Sequence, residues 1–266
     1  MTPTDPSPNA PAGPRIAIVG AGMAGLSAAN TLRDAGREVV LFDKGRGVGG
    51  RTSLRRAEEH TFDHGAQYFT ARDSRFRDCV DAWCEAGVAA PWQGRVATID
   101  RPGSITQNST SGTERFVGVP GMNALAKHMA RGHDVRVGTR VTGLERASGR
   151  WTLAFEQGPP EGGFGAVLIT APPAQAVPLL HAAPALAEAA ASVEMDPCWA
   201  VMVAFEAPFA APFEGAFINA GPLAWACRNS SKQGRPAGDA WVLHASPAWT
   251  REHLGGSNEA ITELLV

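Results

Sequence analysis

The chain has 266 residues, 24 Lys and Arg against 26 Asp and Glu, a net charge of −2 and a pI near 6.4. That length can bury a sizeable core, as one large or two modest domains. The near balance of charge, with basic residues scattered, gives no electrostatic pull toward nucleic acid or an acidic membrane. The longest apolar runs, such as Cys198 to Phe205, are far too short to span a bilayer.

Residues 1–14, MTPTDPSPNAPAGP, are proline-rich and lack the apolar stretch of a secretory signal. A disordered tail is expected there. Then the pattern sharpens. Ile16-Ala17-Ile18-Val19 is a short, β-branched run that reads as a buried parallel strand. Gly20-x-Gly22-x-x-Gly25 follows at once, then a helical pattern from Leu26 to Ala35. A second apolar run, Val39 to Phe42, ends in Asp43. Strand, glycine turn, helix, strand and acid make up a dinucleotide-binding βαβ unit.

Each position has a mechanical reason. Gly20 lets the chain turn sharply out of the strand, and Gly22 presents bare backbone to a pyrophosphate. Gly25, with Ala24, lets the helix lie close to the sheet. The N-terminus of the helix, reached through Ala21 and Met23, offers free N–H groups to phosphates. Asp43 stands 23 positions after Gly20, where a carboxylate can accept the hydroxyls of a ribose. Lys44 and a second glycine cluster follow, ending Gly49-Gly50-Arg51-Thr52. It suits a loop that returns over the pyrophosphate, with Arg51 as a charge-assisted donor. Spacing alone leaves NAD and FAD open.

Farther along, Thr61 to Thr70 contains Gly65-Ala66, a backbone suited to approaching something flat. Residues 73–90 carry Phe76, Val80, Trp83 and Cys84 at helical spacing. Residues 91–116 read as loop, with a strand from Arg95 to Ile99. A helix is expected over Met122 to Ala130, a short strand over 134–137, and a β-meander over Arg140 to Phe155 that turns at Ala147-Ser148-Gly149. Ala166 to Thr170 is another buried parallel strand, stopped by Pro172-Pro173. Ala174 to Glu194 is alanine-rich and helical, broken by Pro178 and Pro184. Strand-like segments at 199–205, 215–218, 223–227 and 240–245 predict an antiparallel sheet, hence a second domain. The chain ends in a helical pattern, Asn258 to Val266. Cys79, Cys84, Cys198 and Cys227 form no CxxC and no metal-ligand spacing with histidine. They are expected as free thiols in a reducing cytoplasm, with a disulfide pair as the alternative, and no metal is expected.

From Gly20 to Thr52 the sequence resembles the FAD-binding fold of the flavin amine oxidases and their relatives, in which GxGxxGLxxAxxL is followed by an acid and GGRxxT. This resemblance implies FAD rather than NAD. FDHGAQYFTARDSRF (62–76), GVPGMNALAKHM (118–129), MDPCWAVMVAFE (195–206), AWACRNSSKQGR (224–235) and WVLHASPAWT (241–250) together look like the renalase family, in its bacterial form. The resemblance implies an α/β chain: a Rossmann-like FAD domain of glutathione-reductase type (15–72 and 117–175) and a mixed α/β substrate domain with an antiparallel sheet (73–116 and 176–266). It implies oxidation of dihydronicotinamide isomers of NAD(P)H, carrying the hydride at the 2 or 6 position, with O2 accepting the electrons and hydrogen peroxide forming; the alternatives are a related flavin enzyme acting on amines and a nucleotide-binding protein without catalysis. The expected partners are a dinucleotide substrate and O2.

Candidate site residues follow. Ala66, Gln67 and Tyr68 would lie at the flavin ring, Tyr68 being equally suited to an aromatic core. Arg228 and Asn229 suit either a grip on a carboxamide or phosphate, or a surface turn. His244 ends an apolar strand, where its ring would meet the pocket or be satisfied by burial. Trp199 and Trp249 suit the core better than a ligand platform. Val141 aligns with the family position whose backbone holds adenine, and His64 has no assigned role. Tyr68 is the only tyrosine, which rules out a tyrosine-built amine cage. One departure stands out. The only Gly-Asp, Gly238-Asp239, precedes a strand and reads as a turn, so the last FAD-domain strand and flavin-facing helix of the family are expected to be missing beyond Val266.

Overall fold

The computed structural model describes residues 13–107 and 113–266. Most of the expected proline-rich tail lies outside them. Two compact units emerge: one holds residues up to Gly50 with Met129–Glu194, the other Arg51–His128 with Met195–Val266. Segments 51–72 and 117–128, grouped with the dinucleotide fold on sequence grounds, are in the second unit, and 176–194 is in the first.

The first unit is built on a four-stranded parallel sheet. Its order is Ala166–Ile169, Ile16–Val19, Val39–Phe42, Asp134–Arg136. The two inner strands are buried along their whole length, as parallel strands covered on both faces must be. The helix Met23–Asp34 follows the first strand and buries Gly25, Leu26 and Ala29. Ala17, Val19, Val40 and Phe42 meet Leu144, Leu153 and Phe164 of a three-stranded meander. Phe42 and Phe164 meet edge to face with centroids 6.0 Å apart, a favoured aromatic geometry. The meander turns at Ser148 and Gly149, both at positive φ, as a tight hairpin turn demands. Pro173 and Pro184 each open a short helix, where a missing N–H costs nothing.

The second unit carries a six-stranded sheet. Its order is Ala200–Phe205, Asp239–Ala245, Leu223–Arg228, Gly215–Ile218, Val96–Arg101, Ser104–Gln107. Gly215–Ile218 runs parallel to Val96–Arg101, while the other neighbours are antiparallel. The sheet is therefore mixed. The parallel pair joins segments more than a hundred residues apart, and side-chain alternation carries no information on direction.

Three local differences from the sequence reading have simple causes. The helix expected over 73–90 runs only from Ser74 to Glu85, capped by Asp73, because Gly87 at φ +69° turns the chain out. Ala89–Pro91 then pairs with Phe116–Gly118 as a small antiparallel ribbon. Pro247–Glu252 forms a helix that the sequence reading missed, with the Ser246 hydroxyl accepting the Trp249 N–H. Asp239 is no turn residue but starts a strand, and Gly238 alone, at φ +127°, makes the bend. The final helix, Asn258–Leu265, is capped by Ser257 and packs Ile261 and Leu265 on Val201 and Ala245. All four cysteines are free thiols. Among the described residues, no helix is long and apolar enough to cross a membrane.

Candidate cofactor turn and buried charge cluster

The glycine turn has the geometry its spacing implies. Gly20 sits at φ +109°, a conformation L side chains rarely adopt. A Cβ at Gly25 would lie 2.0 Å from the Gly20 carbonyl oxygen, so the close approach of helix and turn excludes any side chain there. Gly22 is different. Its φ is −80°, and a Cβ would meet nothing nearer than the Gly49 oxygen at 4.0 Å. The protein leaves that space open and does not itself require glycine. The helix that starts at Met23 has no side-chain cap, so no side chain competes for its first N–H groups.

Asp43 braces this turn. Its Oδ2 accepts the Ala21 N–H at 2.7 Å, and its Oδ1 accepts the Gly45 N–H at 2.7 Å. Each oxygen keeps a further acceptor direction, enough for a ribose diol. The Gly49 N–H donates to Ala21 O at 2.9 Å, and Gly49 bridges Gly22, so the two glycine loops lie side by side. Gly50 is at φ +55° and Lys44 is exposed next to Asp43. Val141 is buried in the same unit's core and opens the meander. Gly20, Ala21, Gly22, Met23, Ala24, Gly25, Asp43, Lys44, Gly49, Gly50 and Val141 thus belong to one compact unit. An uncapped helix start, an open glycine face and a carboxylate with spare acceptor capacity fit a dinucleotide.

In the second unit, Arg51 and Gly65-Ala66 are held together. The Ala66 N–H donates to Arg51 O at 2.9 Å, and a Cβ at Gly65 would lie 2.1 Å from that oxygen. The Arg51 side chain is exposed and has no partner among the described residues.

Beneath this loop lies a feature the sequence reading missed. Asp63 is wholly buried, and so are the side chains of Lys232 and Arg235. Lys232 Nζ reaches Asp63 Oδ2 at 3.3 Å, Gln67 Oε1 at 3.0 Å and Asn229 Oδ1 at 3.2 Å. Arg235 donates through Nε and Nη2 to Asp63 Oδ2, and through Nη1 to the carbonyls of Gly118 and Gln233. Asp63 Oδ1 accepts the Met122 N–H at 2.9 Å. Two cations face one carboxylate, and neutral carbonyl and amide oxygens fill the remaining donor directions, as a buried charge requires. Polarity in the stretch from Ser230 to Arg235 gives no signal of burial when the partner of Lys232 lies 169 positions away.

The cluster revises two residue roles. Asn229 is completely buried and takes neither a ligand grip nor a surface turn: its Oδ1 accepts Asp63 N–H and Lys232 Nζ, and its Nδ2 donates to Thr61 O at 2.7 Å. Arg228 is half-buried, pairs with Asp239 at 3.4 Å and lies over the Trp241 ring at 5.1 Å, so its guanidinium is held by the sheet. Gln67 is buried, with Nε2 on the carbonyls of Asp63 and Gly65 and Oε1 on Lys232. Tyr68 stacks on Trp92 and tilts against Trp225, with centroids 5.8 and 5.6 Å away, inside an aromatic cluster. Trp199 donates through Nε1 to His253 O, Trp249 stacks on His253 at 3.9 Å, and both pack a core cluster.

His244 contacts the His64 carbonyl at 2.9 Å through Nε2, which places a proton on that nitrogen. Burial, above all, pushes its pKa below the ordinary value. Burial and then Arg55 push His64 down likewise. His64 borders a cavity of about 420 Å³ with Arg55, Trp199 and Asn258.

Comparison with known proteins agrees with this geometry. The model of the NAD(P)-binding Rossmann-like domain matches residues 18–83, and that of flavin containing amine oxidoreductase matches residues 77–244, more than half the chain. The 4,4'-diapophytoene desaturase (4,4'-diaponeurosporene-forming) of Staphylococcus aureus (strain Newman) is 43% identical over 77 residues, which span 25% of this chain and 15% of that relative. Among solved structures, an Exiguobacterium sp. 255-15 protein described as a protoporphyrinogen oxidase superposes with a TM-score of 0.73 at 16% identity, covering 95% of this chain and 81% of its own. A putrescine oxidase double mutant gives 0.72 at 14%, covering 94% and 79%. At these identities the likeness is one of fold. Turn geometry, family model and fold converge on FAD as the cofactor, and the chain belongs to the flavin-containing amine oxidoreductase family.

Proposed function

We propose that this flavoprotein oxidises dihydronicotinamide isomers of NAD(P)H, as its resemblance to the renalase family implies, and passes the electrons to O2. The observation that carries the reading is the state of the polar groups around Gly65-Ala66. Gln67, Asn229, Lys232 and Arg235 are all engaged by protein partners, and His244 spends its Nε2 proton on a carbonyl. None is an unengaged, strong general base. A dihydropyridine needs none: it releases a hydride and becomes an aromatic pyridinium, with no proton to leave a heteroatom. Bound FAD would supply the hydride acceptor, and O2, taking the two electrons, the transferred hydrogen and one proton from solvent, would give hydrogen peroxide.

The residues of this chain bind and orient. Asp43 and the Gly20–Gly25 turn would hold the ribose and pyrophosphate of FAD. Gly65-Ala66 would present a flat backbone to the ring, stiffened from below by Gln67 and the Asp63 cluster. Rigid placement of a hydride donor is the main contribution such a site makes. The cytoplasm, with its reduced nicotinamides, is the compartment this chemistry suits.

An amine substrate is the second reading, favoured by the family model over residues 77–244 and by the fold shared with putrescine oxidase. Anaerobic reduction of the flavin separates the two: bleaching by 2- or 6-dihydro-NAD(P) and not by amines supports the first, and the reverse supports the second.

A further inference from the structure

A second cavity, of about 410 Å³, lies in the unit that holds the charge cluster, bordered by Leu54, Arg56, Thr61, Pro120, Asn123 and Lys127. Its volume is that of small-molecule sites. Its charge is one-sided. Arg56 and Lys127 are exposed cations with no partner among the described residues, and no carboxylate borders the cavity. Arg235 also reaches the wall, but its guanidinium is turned onto Asp63, which it shares with Lys232. The Asn123 side chain, half-buried at the same wall, offers a hydrogen-bonding group. Leu54 and Pro120 supply apolar walls for a flat, uncharged group.

We infer that this cavity binds the phosphate-bearing adenosine end of the dinucleotide substrate: phosphate between Arg56 and Lys127, with Asn123 as a hydrogen-bonding group and the ring against Leu54 and Pro120. The inference rests on the substrate class proposed above and adds where the non-reacting half is recognised. Charge-assisted bonds from Arg and Lys suit a phosphate, and an exposed pair makes the binding salt-dependent.

The test is calorimetric titration of the FAD-loaded protein with 5'-AMP, so that the cofactor's own nucleotide site is filled. Arg56→Ala and Lys127→Ala should each weaken binding about tenfold, without loss of flavin, because both side chains are exposed. With a dihydronicotinamide isomer as substrate, the same variants should raise KM and leave kcat unchanged, the pattern of lost uniform binding. Failure of 5'-AMP to bind, or unchanged affinity in the double variant, overturns the site. If 5'-AMP binding depends on both cations and yet no dihydronicotinamide bleaches the flavin, the cavity stands and the substrate proposal falls.

Discussion

Lys232 Nζ stands 3.3 Å from Asp63 Oδ2, and neither side chain has any solvent exposure. Arg235 shares the same oxygen, so one carboxylate holds two buried cations. Removing the carboxylate leaves both uncompensated. Asp63→Asn should cost about 3–5 kcal/mol, read from denaturant midpoints. Lys232→Met should destabilise the native chain but restore stability in the Asp63→Asn background. A thermodynamic cycle should therefore return a coupling of about 0.5–3 kcal/mol; an additive cycle would remove the cluster's role in stability.

Gly22 and Gly25 should respond differently to the same added methyl. Gly25→Ala drives a Cβ to 2.0 Å from the Gly20 oxygen and should lower both the melting temperature of the apoprotein and its flavin content. Gly22→Ala meets no protein atom closer than 4.0 Å. It should leave apoprotein stability within about 1 kcal/mol, as helix and turn propensities imply, while FAD occupancy drops. Equal flavin content in Gly22→Ala and wild type would contradict the placement of the pyrophosphate.

Asp43→Ala removes the acceptor for the Ala21 and Gly45 N–H groups. It also removes the proposed ribose acceptor. FAD affinity should fall by roughly 1–3 kcal/mol, the cost of unpaired polar groups, and apoprotein stability should fall as well. Flavin release monitored by fluorescence measures the first and thermal unfolding the second.

The depressed pKa values of His64 and His244 set an acid limit on stability. Both rings are pushed below the reference value of 6.5, chiefly by burial. Below pH 6.5 the unfolded chain binds protons that the folded chain refuses, so stability is full above that pH and declines as pH falls toward the folded values. His244→Gln can still donate to the His64 carbonyl. It should flatten the pH dependence of the melting temperature on the acid side; an unchanged slope would remove His244 from the account.

The glycine turn was legible because all its information is local. Strand Ile16–Val19, the three glycines, strand Val39–Phe42 and Asp43 lie within one run of sequence. Each type has a reason within a few residues of itself. Gly25 and Asp43 even show those reasons as contacts with the protein: the Gly20 carbonyl for one, the Ala21 and Gly45 amides for the other. The Asp63–Lys232–Arg235 cluster was not legible, because it is made of long-range pairs between ordinary polar residues. Asn229 was chosen for its chemistry, and that same chemistry is consumed by the cluster. The parallel pairing of Gly215–Ile218 with Val96–Arg101 was hidden for a related reason: strand direction leaves no trace in alternation.

The most direct measurement is the visible absorption spectrum of the purified protein, before and after anaerobic addition of 6-dihydro-NAD. The account predicts a flavin band that bleaches on addition and returns with O2, accompanied by hydrogen peroxide. A flavin band that stays unchanged with 2- and 6-dihydro-NAD(P) alike, yet bleaches with an amine, would contradict the proposed substrate class.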